Sequence, residues 1–526
     1  MIKKKENILL FFLFSFSAYC AVTIGQSWDH DSQLANGKVT LNYLFSFGEV
    51  DKKVLYRENY STIYWSFQYL IAKIFPSNYE LQVSHLINLF FSLATIFGIS
   101  KICKILFNKK VGKITFLILF FYPVFFGHMG FNGKDTILAF SHVWITYLAI
   151  DYLKNQKIKK KSLRSVVFIG VLMALATGIQ LVFLGSLIPI ILFIFFEVFF
   201  FKKIITKNFN YKKFIFDLLK CFLVFYSLLI LFWIDAHPNI ILLPFDFLMG
   251  TFSETYRTGW CCNLVNGNYY YAIEAPKFYF LKNFIFKSPE YILIAYCLFI
   301  IFAIWSNNFF TKRFEHFNSK IYFLVIILFY PDVIALIVPY PLYDGLRLFL
   351  WTIPYFCIIP GLTIYYLIEN YKNKKIKITL LTLSCIIIFF IYNFLSITPY
   401  QYTYLNSLNG ERKHRYMKFE NDYWSSSINE LVKISSFPKN KNLKFSTCGV
   451  DGRIVEKYLN KKGYFDIDFV NHEDAEFMVM TNRTTFDYEK SNNDLNVSNC
   501  FVKFDGIDIF KVERNGLTLS LIRKIN

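Results

Sequence analysis

The chain has 526 residues, 55% of them hydrophobic and 20% aromatic, a composition that excludes an ordinary soluble enzyme. Its formal charge of +20 comes from lysines in short clusters between apolar runs, with no isolated basic domain and no zinc-finger spacing. That pattern belongs to the loops of a membrane protein and excludes nucleic acid as a partner.

Lys3, Lys4 and Lys5 precede an apolar run at 8–24, which reads as an uncleaved first span with a cytoplasmic N-terminus. Further runs follow at 84–107, 112–131, 134–153, 164–181, 183–201, 214–235, 290–306, 320–340, 346–368 and 377–397. The expected architecture is a polytopic α-helical membrane protein with about eleven transmembrane helices. Alternating spans put five basic clusters on the side of the N-terminus: Lys109 to Lys113, 154–161 with Arg164, 202–213, 312–320 and 372–377. Loop charge sets orientation, so this agreement makes the protein a multi-pass component of the cytoplasmic membrane. The opposite side then receives the loop around Asp29, the turn at 128–135, the loop at 236–289, the turn at 339–347 and the whole C-terminal region.

Two exterior stretches have recognisable periodicity. Over 59–75, Ile63, Phe67, Leu70, Ile71 and Ile74 fall at helical spacing, as in an amphipathic helix lying in the membrane interface. Beyond Pro399 charge rises, and the runs at 443–450, 465–470, 477–481 and 502–513 shorten to strand length, with a helical pattern at 454–461. The chain therefore divides into a membrane domain over 1–397 and a small extracytoplasmic α/β domain over 398–526. The 10 cysteines include no C-x-x-C pair. Cys261, Cys262, Cys448 and Cys500 fall on the exterior side, where disulfides are permitted, but their connectivity is not readable from sequence.

Three exterior turns carry the candidate chemistry. The first, Gln26-Ser27-Trp28-Asp29-His30-Asp31, puts two carboxylates at the end of the first span, where they suit a helix cap as well as a catalytic base. The second, Gly127-His128-Met129-Gly130-Phe131-Asn132-Gly133-Lys134-Asp135, opens a membrane helix with residues able to bind an anionic head group or a metal. Asp135 equally suits the positive end of that helix's dipole. The third, Tyr343-Asp344-Gly345-Leu346-Arg347, places an arginine against the loop-charge bias. Its planar fork suits phosphate, though such a side chain also snorkels to the interface.

In this order the turns resemble those of the bacterial protein O-mannosyltransferase-like glycosyltransferases, polytopic enzymes of the GT-C fold in the ArnT-like superfamily. That family's acidic pair is matched by Asp29-His30, its Gly-His…Asn-Pro-Lys-Asp turn by 127–135, and its Tyr-Asn/Asp-Gly-x-Arg-His turn by 343–348. The 266–289 loop, the 399–406 and 422–424 segments and the 512–520 stretch are also similar to the family's. Three positions depart from it: Gly133 stands for proline, Leu348 for histidine, and His30 for the second acid, a role Asp31 is placed to assume.

The resemblance implies inverting transfer of one sugar from a polyprenyl-phosphate donor to a glycan, lipid or protein acceptor on the extracytoplasmic side. It implies Asp29 as general base, and Arg347 with Lys134 or His128 on the donor phosphate. Asp135 and Asp31 would orient the site or hold a divalent ion. A transporter, flippase or polymerase of surface glycans would carry similar charged residues; for a transporter one expects internal repeats or broken helices, hinted at only by Asp332, Pro354 and Pro360. Three N-x-S/T sequons, beginning at Asn59, Asn482 and Asn496, also fall on the exterior side.

Overall fold

The computed structural model describes residues 2–49, 61–202, 209–250, 260–338, 340–438, 441–486 and 496–525. Asn59 and, within the stretches read above, positions 60, 203–208, 251–259 and 339 lie outside these residues. Among the described residues 8 helices are long and apolar enough to cross a membrane, including Lys5–Thr23, Ser77–Leu106, Asp135–Asn155 and Lys374–Ser396. A ninth arises if Tyr279–Lys287 and Glu290–Trp305, bent by 114° at Ser288 and Pro289, form one span.

The polypeptide begins with α1 (Ile2–Thr23), α2 (His30–Phe45), α3 (Ile63–Ala72) and α4 (Glu80–Leu106). The 112–131 run is not one helix. It becomes α5 (Lys109–Phe120) and α6 (Pro123–His128), because Pro123 has no N–H to continue the ladder and instead starts a new turn. Then follow α7 (Asp135–Asn155) and α8 (Lys159–Ile179). The 346–368 run is likewise divided, into a 3-10 turn at Arg347–Phe349 and helices Ile353–Phe356 and Ile358–Glu369, with Pro354 and Pro360 near their starts.

In α3 the expected apolar stripe faces outward, with Phe67 and Leu70 exposed. The opposite face is polar and aromatic and packs inward: Gln68 Nε2 donates to Ser84 O at 3.2 Å, and Tyr64 bonds Asn88. Asp332 has a structural task. From inside Phe317–Ile337 it accepts the N–H groups of Phe280 and Leu281, both at 3.2 Å, at the start of Tyr279–Lys287. Those donors have no partner within their own helix, so a carboxylate there satisfies them and complements the helix dipole.

Among the described residues four strands fall on the expected runs, and five further strands were not read from the sequence. Strands β1 (Cys262–Val265) and β2 (Asn268–Tyr271) form a hairpin. Strands β3 (Leu443–Cys448), β4 (Ile467–Phe469), β5 (Phe477–Thr481), β8 (Ile507–Arg514) and β9 (Leu517–Lys524) make a sheet of order β4-β3-β5-β9-β8, parallel at β4-β3-β5 and antiparallel beyond. Strands β6 (Thr484–Phe486) and β7 (Val497–Asn499) pair separately. The helix expected at 454–461 spans Gly452–Lys461. Cys261 bonds Cys262 and Cys448 bonds Cys500.

The segment after the last span does not hang free. It threads through 401–427 beneath the bundle, where Gly25 meets Ser426 and Gly127 meets Tyr402. A Cβ on Gly127 would lie 2.0 Å from Tyr402 N, whereas one on Gly185 meets nothing within 4 Å. Gly127→Ala should therefore cost about 3 kcal/mol, as overpacking does, and Gly185→Ala should escape that steric cost. Thermal unfolding of the two purified variants measures the contrast; equal melting temperatures would refute the close packing.

Candidate functional site

The site forms where the end of α1, the α6–α7 turn, the 340–347 turn and the 419–427 segment meet. Asp135 opens α7, and its position is set by Asn132. Asn132 Oδ1 accepts from the backbone N–H groups of Lys134 and Asp135 at 3.1 and 3.0 Å, while Nδ2 donates to Asp135 Oδ2 at 2.8 Å and to His128 Nδ1 at 3.2 Å. The backbone donors fix which end of the amide is oxygen, so His128 Nδ1 is an acceptor. Its Nε2, 2.9 Å from Tyr423 Oη, then carries the proton of the neutral ring. His128 is fully buried with both nitrogens engaged, behind Asp135 rather than at an opening.

Arg347 Nε donates to Asp135 Oδ2 at 2.9 Å, and its Nη1 donates to Asp344. The other Asp344 oxygen lies 3.4 Å from Arg483 Nη2, which belongs to the loop between β5 and β6. Asp135, Arg347, Asp344 and Arg483 thus form a continuous buried chain of alternating charge. Asp344 holds its place with a left-handed backbone, φ 56°, followed by Gly345 at φ 64°. Gly345 also leaves room for Lys287, whose Nζ would sit 2.4 Å from a Cβ there. The buried Lys287 donates to Glu420 O at 3.3 Å and lies over the rings of Phe419 and Tyr423.

Aromatic rings face both arginines. The Arg347 guanidinium lies 4.2 Å from the Trp424 ring centroid, and that of Arg483 lies 3.7 Å from Trp260 and 5.2 Å from Trp28. Trp28 is anchored by its indole N–H on Ser425 Oγ at 2.8 Å. Asp422 in turn fixes this segment by accepting the N–H groups of Ser426 and Ser427, at 2.9 and 3.1 Å, and the Tyr402 hydroxyl. These ring–cation contacts are strongest where water is excluded, as here.

Asp29 is the half-exposed member. It is the N-cap residue of α2, yet its side chain makes no capping hydrogen bond, so the carboxylate is not consumed by the helix end. Its charge acts on Arg347. Asp31, one turn into the helix, is exposed and held elsewhere, by Lys457 Nζ at 3.0 Å and Gln26 Nε2 at 3.2 Å. His30 is buried against His85, and burial holds its imidazole down to about 4, hence neutral. Lys134 is half-buried at the start of α7, and its charge acts on Tyr343. Asp29, Asp135 and Arg347 thus come together, whereas Asp31 does not join them.

The donor set is unsuited to a divalent ion. Among the described residues no three His, Cys, Asp or Glu side chains gather as metal ligands. Asp135 and Asp344 face guanidinium groups, and Asp31 an ammonium. Asp344, Arg483, Lys287 and Glu420 belong to the cluster but were not singled out above. Arg483 sits inside the sequon beginning at Asn482, and that asparagine is wholly buried, donating to Phe419 O at 3.2 Å.

Beside the charges lies an apolar cavity of about 390 Å³. Leu138, one turn beyond Asp135, lines it with Leu342, Leu348, Phe349, Trp351 and Tyr330. The sequence changes from charged to apolar within one residue of Arg347, and the wall of the site changes with it.

Burial, reinforced by the Asp344 charge, pushes the Glu420 carboxyl up to about 7 from 4.5. Between those values the folded protein binds more protons than the unfolded chain, so this group's contribution to stability is lost as pH rises through them. Glu420→Gln removes the dependence. Its melting temperature relative to the parent should climb from about pH 4.5 to about pH 7; a constant difference across that window would sink the idea.

No protein-family model matches the chain, and no curated protein does. Solved structures do match. ArnT from Cupriavidus metallidurans in the apo state aligns with a TM-score of 0.51 at 11% identity, over 99% of this chain and 98% of that one. The same protein bound to undecaprenyl phosphate gives 0.51 at 11% identity, over 91% and 94%. The apo Archaeoglobus fulgidus oligosaccharyltransferase gives 0.46 at 11% identity, over 90% and 69%. The chain is a multi-pass membrane protein with an ArnT-like GT-C fold.

Proposed function

We propose that this protein is a membrane glycosyltransferase that moves one sugar from a polyprenyl-phosphate-linked donor to an acceptor hydroxyl. The observation that carries this reading is the junction itself. The charge of a half-exposed carboxylate, Asp29, acts on buried Arg347, and Leu348, the residue after that arginine, lines an apolar cavity. A lipid phosphate ester has the same three parts: a wet sugar, an anion and a hydrocarbon tail. Support also comes from the fold, since the ArnT of Cupriavidus metallidurans has been solved with undecaprenyl phosphate bound.

In this mechanism the tail occupies the cavity lined by Leu138 and Leu348, and the phosphate meets Arg347 beside Lys134. Asp29 takes the acceptor proton as the hydroxyl oxygen bonds to the anomeric carbon. The bond from that carbon to the phosphate oxygen breaks on the opposite face, so configuration inverts and polyprenyl phosphate leaves. Arg347 stabilises the charge gathering on the departing phosphate. Asp135 and Asp344 are positioning residues: they hold the guanidinium plane and keep it from folding onto Asp29. His128 acts through Asn132 and Tyr423 to steady that arrangement, without reaching the phosphate.

The 398–526 unit then supplies the wall of the acceptor side through Trp28's neighbours and Arg483. The reaction faces the extracytoplasmic side in the orientation given by the lysine loops. No step requires a metal.

Asp29→Asn should lower transfer of a labelled sugar from a polyprenyl-phosphate donor by roughly 10²-fold or more, at undiminished protein level. Retained transfer would remove Asp29 as the base. Flipping or transport of the labelled lipid without sugar release would instead favour a carrier. Arg347→Lys keeps charge but loses the fork that suits a phosphate. It should weaken every acceptor reaction about equally and raise the KM for the donor; an effect confined to one acceptor would oppose a phosphate role.

A further inference from the structure

A second cavity, of about 200 Å³, shares no lining residue with the first. One wall is the end of the last span, with Phe389, Asn393 and Ile397; the other holds Arg412, Arg415 and Arg514. We propose that this cavity binds the head group of a phosphate-bearing membrane lipid, separate from any sugar donor and independent of the sugar-transfer reading.

The arginines are not equivalent. Arg514 is committed, with Nη2 on Glu430 Oε2 at 2.5 Å and Nε on Thr398 O at 2.9 Å. Arg412 donates to Asn393 Oδ1 at 2.9 Å and to Asn515, while Arg415 donates to Gly410 O at 3.0 Å and Leu405 O at 2.6 Å. These are neutral acceptors. Among the described residues neither Arg412 nor Arg415 forms an ion pair, although both are half-buried. The acid in the wall, Glu290, gives its two oxygens to the Tyr404 hydroxyl at 2.9 Å and the Ser407 N–H at 2.8 Å. Burial, followed by repulsion from Arg412, pulls the Arg415 guanidinium below its usual range. The Glu290 charge also acts on Arg415, so one carboxylate stands against two arginines whose hydrogen-bond partners are neutral. The excess positive charge suits a further anion, and the arginine fork matches a phosphate.

The setting favours a lipid as the source of that phosphate. Phe389 lines the cavity and, with Tyr392 and Leu395, is exposed along the flank of the last span. An acyl chain lying on that flank would bring its head group to the arginines. The arginines then meet the phosphate while the chain stays against the apolar flank.

The test uses the full chain purified in a nonionic detergent. Thermal unfolding is followed with dioleoyl-phosphatidylglycerol, dioleoyl-phosphatidylcholine or inorganic phosphate added at matched concentrations. Phosphatidylglycerol should raise the melting temperature by several degrees more than phosphatidylcholine, and inorganic phosphate should leave it nearly unchanged. Arg412 also ties Asn393 to Asn515, so the decisive variant is Arg415→Gln, which should lose most of the response; Arg415→Lys should keep part of it. Native mass spectrometry should show one phosphatidylglycerol fewer on Arg415→Gln than on the parent. Equal responses to both lipids, an undiminished response in Arg415→Gln, or a shift by inorganic phosphate as large as that by phosphatidylglycerol would each overturn the proposal.

Discussion

Asp135, Arg347, Asp344 and Arg483 are all withdrawn from water, and their charges cancel only as a set. Desolvating such groups is costly, and removing one partner from a buried pair typically costs about 3–5 kcal/mol because a charge is left uncompensated. The chain therefore holds three distant pieces in one arrangement: the start of α7, the 344–347 turn, and the loop before β6. The rings of Trp424, Trp260 and Trp28 close around the same arginines and exclude the water that would otherwise screen them. This arrangement explains how an arginine can remain rigid beside an apolar cavity. It also leaves Asp29 as the carboxylate at the wet edge.

The membrane part of the fold was largely legible, since apolar run length reports directly on bilayer thickness. Where the reading diverged, proline was responsible: Pro123, Pro354 and Pro360 lie where long apolar runs become short helices. The strands at 443–448 and 477–481 fall within the strand-length runs read from the sequence, the second buried along its whole length. The pairing of β8 with β9 turns on Asn515-Gly516, both at positive φ, and the β1–β2 hairpin on Asn266-Gly267 in the same way. Asn-Gly flanked by alternating residues is a strong hairpin signal, and it was present in the sequence at both places.

Asp135 and Arg347 stood out from sequence because charges at the mouth of an apolar helix are conspicuous. Asp29 and Asp31 could not be separated that way. Two residues apart at the start of a helix, they have different partners: the charge of Asp29 acts on Arg347, whereas Asp31 pairs with Lys457. Asp344 and Arg483 lie 139 residues apart, and no local pattern reveals that they share a charge. Arg483 was further disguised by lying in a sequon whose asparagine is buried. Lys287 and Glu420 were hidden for the same reason, since burial of a lone charge is a tertiary fact.

Arg483 enters the cluster late. By the time it emerges from the ribosome, Asp135, Asp344 and Arg347 have already been made, and the spans before them are already in place. Until β5 and the turn after it are folded, Asp344 lacks its Arg483 partner. The nascent bundle thus holds an incomplete electrostatic lock for the time needed to synthesise 136 further residues, from 347 to 483. A polypeptide truncated anywhere in that interval lacks Arg483, and so cannot complete the set that holds Arg347 in the finished protein.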